Sequence, residues 1–70
     1  MALRNIRLKE RVVGLCIMRD GTRHVHTVEA GTVVTVMSFD PETDLVEVET
    51  NSLRVLLTNE SLLTHGEDVG

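Results

Sequence analysis

Valine, isoleucine, leucine and threonine recur at alternate positions over short stretches, and turn residues interrupt them about every eight to twelve positions. That period belongs to strands and leaves helix little room. The alternation is cleanest in Leu45 to Thr50, where Val46 and Val48 face a core and Glu47 and Glu49 face water. Asn51 and Ser52 then turn the chain into Leu53 to Thr58, with Leu53, Val55 and Leu57 inward and Arg54 and Leu56 outward.

Upstream, Arg11 to Arg19 reads as a strand carrying Val12, Val13, Leu15, Ile17 and Met18. Asp20 and Gly21 tolerate positive φ and predict a two-residue hairpin turn, with Thr22 to Val28 returning alongside. In that register Ile17 lies opposite His24 and Leu15 opposite His26, while Cys16 and His24 fall on opposite faces. After a turn at Glu29, Ala30 and Gly31, the strand Thr32 to Phe39 is apolar on both sides. Val33, Thr35, Met37 and Phe39 share one side; Thr32, Val34, Val36 and Ser38 share the other. Pro41, within Asp40 to Asp44, presets φ for a type I turn. Asn59, Glu60 and Ser61 are expected to form one helical turn before a short last strand, Leu62 to His65. Gly66 to Gly70 lack apolar density and are expected to fray.

A chain of 70 residues makes one domain with a thin core, and small domains draw extra support from disulfides, metals or partner chains. Cys16 is the lone cysteine, so no internal disulfide forms, and an unpaired thiol fits a reducing cytoplasm. The start of the chain is polar and basic, without the apolar stretch of a signal peptide or membrane span. A cytoplasmic protein with no membrane partner is therefore expected. The chain divides into a basic N-terminal arm over 1–10, a β-domain over 11–65 and a tail over 66–70.

Net charge is −4, but the charges are sorted along the chain. Arg4, Arg7, Lys9, Arg11, Arg19 and Arg23 outnumber Glu10 and Asp20 in the first third, whereas beyond residue 23 only Arg54 opposes nine carboxylates. Such polarity can neutralise itself within one fold, join copies head to tail, or present two faces to different partners.

The stretch Glu29-Ala30-Gly31-Thr32-Val33-Val34-Thr35-Val36, followed by an acidic turn and Leu45-Val46-Glu47-Val48-Glu49, resembles the small Src-homology-3-like barrels of the KOW and electron-transport-accessory kind. The resemblance covers roughly residues 11 to 65. It implies an all-β, five-stranded small barrel with an extended basic N-terminal arm. Many such families carry a second glycine three positions after the first, where this chain has Val34. Fold alone does not give function.

Composition excludes several functions of such a barrel. Proline-rich peptide grooves and methyl-lysine cages are built from Tyr and Trp, and the chain has neither. Single-stranded nucleic acid readers need aromatic stacking platforms, which the single Phe39 does not supply. Duplex binding through the phosphates would fall to Arg4, Arg7, Lys9 and Arg11, but nucleic acid is not the expected partner. His24 and His26 are weak metal candidates, with Cys16 and His65 as conceivable further ligands; the expectation is no metal and no cofactor. Catalysis would need an activated nucleophile, and no such constellation, phosphate loop or nucleophile elbow is present, so no catalytic residues are assigned.

What remains is binding. Val34, Val36, Leu56 and Met18 are expected to form an outward apolar face, more than one thin core needs, through which the chain self-associates as a homo-oligomer and binds a protein partner. An alternative is a small acidic inhibitor or decoy of the phage or mobile-element type, with Asp40, Glu42, Asp44, Glu47 and Glu49 set where a nucleic-acid-binding enzyme expects phosphates. A third possibility, from the resemblance alone, is an accessory subunit of a redox enzyme or a nucleic-acid-binding barrel.

Overall fold

Among the described residues, seven strands and one short helix follow one another as β1 (Arg4–Leu8), β2 (Val12–Ile17), β3 (Arg23–Val28), β4 (Val33–Asp40), β5 (Leu45–Thr50), β6 (Leu53–Thr58), α1 (Asn59–His65) and β7 (Gly66–Asp68). The computed structural model describes residues 3–70; Met1 and Ala2, the beginning of the basic arm, lie outside the described residues. The protein is all-β. It is not a five-stranded closed barrel: the strands form one antiparallel sheet in the order β3-β2-β6-β5-β4-β1-β7, open between β3 and β7. The additional strands come from both ends of the chain, because the segments expected to be an arm and a frayed tail pair with each other. Arg7 sits opposite Glu67 and Leu8 opposite Gly66, and β1 also pairs with β4.

The inner face of the sheet carries Ile6, Leu8, Val12, Val28, Val34, Val46, Val48, Val55 and Leu57, and Leu62 of α1 closes over it. Leu8, Val34, Val48, Val55 and Leu57 are essentially inaccessible, and burial of each such side chain stabilises by about 1.5–3 kcal/mol. Val46, Val48, Val55 and Leu57 fall where alternation puts them. β4 does not. Val34 is 0% exposed and Val36 packs half-buried against the core, so the face expected to point outward points in. A register irregularity between Val36 and Ser38 explains the rest: with Met37 as the extra residue, Phe39 pairs with buried Val46 and joins the inner side.

Gly14 is required by close packing. A Cβ there would lie 2.5 Å from Leu57 Cδ2, 2.6 Å from the Leu56 carbonyl oxygen and 2.8 Å from Val55 Cγ1. The expected last strand, Leu62 to His65, is helix instead. Thr58 caps it: its backbone is extended, at φ −73° and ψ 146°, and its hydroxyl accepts the Ser61 N–H at 3.1 Å.

Candidate functional site

The β2–β3 hairpin closes around three residues rather than two. The Gly21 N–H donates to the Met18 carbonyl at 3.0 Å, Gly21 adopts φ +88°, and the Met18 N–H donates to the Thr22 carbonyl at 2.8 Å. This is a tight turn followed by a glycine bulge, a common three-residue hairpin solution. Asp20 fastens it, accepting from the Thr22 hydroxyl at 2.6 Å and the Thr22 N–H at 2.9 Å. Those bonds, the hydroxyl's first, hold the Asp20 carboxyl below its ordinary value. The extra loop residue moves every pairing by one: Ile17 faces Arg23, Cys16 faces His24, Leu15 faces Val25 and Gly14 faces His26. Cys16 and His24 therefore share the inner face, contrary to the tight-turn register.

The outer face consequently acquires an apolar row. Val25 of β3 lies opposite Leu15 of β2, Leu15 lies opposite Leu56 of β6, and Leu56 lies opposite Glu47 of β5. Val25 is 74% exposed, Leu15 36% and neighbouring Val13 63%, while Leu56 is half-buried. Beyond Leu56 the face turns polar: Arg54 donates to Glu47 at 2.8 Å and stands opposite Glu49.

The two edges of the sheet differ. β7 is three residues long and carries Glu67 and Asp68, features that discourage further strands from pairing. β3 is six residues, Arg-His-Val-His-Thr-Val, without proline, lysine or a bulge, and among the described residues its far side pairs with no strand.

Of the expected self-association residues, Val34 is core and Val36 is packed against it, so neither lies on an outer surface. Leu56 does, and Met18, 43% exposed, stands at the hairpin tip. The residues missed were Val13, Leu15 and Val25, hidden by the one-residue error in loop length. The basic arm is largely answered from within. Arg4 donates to Asp68 at 2.8 Å, and Arg7 is paired with Glu67. The Asp68 carboxyl is held below its ordinary value first by the Gly70 N–H and then by Arg4. Lys9 and Arg11 are exposed. Of the acidic candidates, Asp40, Glu42 and Asp44 flank the β4–β5 turn, where Asp40 accepts the Glu42 N–H at 3.0 Å; Glu47 is engaged by Arg54, and Glu49 is exposed.

A cleft of about 800 Å³ lies between the β2–β3 and β5–β6 hairpins, bordered by Met18, His24, Leu53 and Arg54 among others. Cys16 is buried and forms no disulfide. Among the described residues no group of three metal-ligating side chains comes together, and His65 lies against Glu10 at 3.4 Å rather than near the other two histidines. No described helix is long and apolar enough to cross a membrane. No family model, curated protein or solved structure matches the chain.

Proposed function

We propose that the chain is a non-catalytic protein-interaction module that self-associates, and docks its protein partner, through the end of the sheet formed by β3, β2 and β6. The observation that carries this reading is Val25: an apolar side chain, 74% exposed, on an unprotected edge strand and continuous with Leu15, Val13 and Leu56. A contiguous exposed apolar patch beside a free edge is the signature of a surface that is covered in use. The acidic-decoy reading draws less support, because Glu47 is already engaged by Arg54 and Asp40 by the Glu42 N–H within the β4–β5 turn.

The test is the solution mass of the wild-type chain and of the Leu15→Glu/Val25→Glu variant, by light scattering over a concentration series. The wild type is expected to exceed the monomer mass and the variant to fall to it, with matching circular dichroism because both side chains are exposed. A monomeric wild type, or a variant with unchanged mass, overturns the reading.

A further inference from the structure

We propose that two copies of this chain pair edge to edge through β3 about Val25, setting His24 and His26 of both copies together as a four-imidazole site for a divalent transition metal ion. This rests on the self-association reading above and adds to it a register and an ion.

The backbone selects the register. Met18 and Thr22 form a hydrogen-bonded pair, and hydrogen-bonded and open pairs alternate along an antiparallel ladder. His24, His26 and Val28 therefore turn their N–H and C=O groups toward β2, while Arg23, Val25 and Thr27 present theirs to the free edge. A second β3 running antiparallel satisfies them by pairing Val25 with Val25 and Arg23 with Thr27. Both Val25 side chains then stand on the outer face, about 5.5 Å apart at Cα, and the row Leu56-Leu15-Val25 continues into the row of the second copy.

Charge agrees with this register. Arg23 is diagonal to Glu29 of the second copy, within reach of a long side chain, and neither residue has an ion-pair partner among the described residues. A register centred on Arg23 would oppose two guanidinium groups. One centred on His26 would set Val25 against Thr27 and interrupt the apolar row.

On the inner face the same register places His24 opposite His26 of the second copy, twice, as open pairs about 4.5 Å apart at Cα. Each copy alone offers only two imidazoles of one strand face. Two copies offer four, the number a tetrahedral ion takes, from a ligand type suited to zinc, nickel or copper. Room exists on this face where His24 borders the open cleft, whereas the space beside Gly14, opposite His26, is filled by Leu57 and Val55 and turns the His26 ring away from β2.

The experiment measures dimer affinity by sedimentation with chelator and with Zn²⁺, for the wild type and for His24→Ala/His26→Ala. An ion bound only by the dimer tightens dimerisation by mass action, so Zn²⁺ held at about ten times its Kd should strengthen the wild-type dimer about tenfold and leave the variant unmoved. One zinc per dimer is the expected stoichiometry. For the register, Val25→Cys should cross-link between copies on oxidation, since this Cα separation suits a disulfide, and Thr27→Cys should not. A dimer indifferent to Zn²⁺ overturns the metal site and leaves the interaction reading standing. A chain that stays monomeric with Zn²⁺ overturns both. A mass that climbs without limit indicates head-to-tail pairing of β3 with β7 and overturns the two-fold register.

Discussion

Arg7 and Glu67, at opposite ends of the chain, stand directly opposite one another on β1 and β7 with their side chains ion-paired. Next to them Arg4 holds Asp68, so the basic start and acidic end of the sequence meet as the last two strands of the sheet.

Deleting residues 66–70 removes β7, both ion pairs and the Gly66 N–H that caps α1 at the Leu62 carbonyl. The midpoint of thermal unfolding should drop by about 10 °C, as expected when a chain of this size loses roughly 2 kcal/mol. Glu67→Gln, which removes one exposed ion pair and keeps the strand, should change stability by less than about 1 kcal/mol. Equal losses in the two variants would mean that the charge, rather than the strand, holds the ends together.

The parts of this fold legible in the sequence are those fixed locally. β5 and β6 follow from strict alternation at Val46, Val48, Val55 and Leu57, and their connection from Asn51 and Ser52, both of which adopt positive φ. Three features required information that local pattern does not hold. Asp20-Gly21 suits a two-residue turn and a three-residue turn with a glycine bulge equally well, and the difference decides whether Leu15 stands beside Val25 or beside His26. β4 is apolar on both faces, so nothing in it says that Val34 faces in or that an irregularity after Val36 brings Phe39 to the same side. β1 and β7 are short and charged, and become strands only because each finds the other across the whole length of the chain. The arginine and carboxylate pairs were a signal of that meeting, visible as a charge asymmetry but not as a pairing.

Gly14 gives a sharper test of packing. The position a Cβ would take in Gly14→Ala is blocked by a backbone carbonyl, that of Leu56, as well as by Leu57 and Val55, so the strands must separate rather than a side chain step aside. Overpacking of this kind typically costs about 1–3 kcal/mol, and denaturant unfolding should place Gly14→Ala at the upper end. Gly31→Ala meets nothing within 4 Å and carries only the penalty of φ +88°, about 1 kcal/mol. If Gly31→Ala proved the more damaging, β2 and β6 would not approach as closely as described.

Asp20 carries the acid dependence of the hairpin. Its carboxylate accepts two bonds from Thr22, the hydroxyl's being the stronger influence, and its folded-state pKa lies below the ordinary 3.8. A carboxyl depressed by folding contributes stability that is complete above the unfolded value and disappears as pH falls through the folded one. Asp20→Asn keeps an acceptor oxygen but loses the charge, so it should unfold at a lower temperature than the wild type near neutrality. The two should converge as the pH falls below the ordinary carboxyl value of 3.8 and on through the lower folded one, where the wild-type carboxyl itself takes up a proton. Thermal unfolding of both proteins across that range measures the convergence. A gap that stayed constant down to strong acid would show that the charge of Asp20 does not hold the loop, and the three-residue closure that places Val25 beside Leu15 would then depend on Gly21 alone.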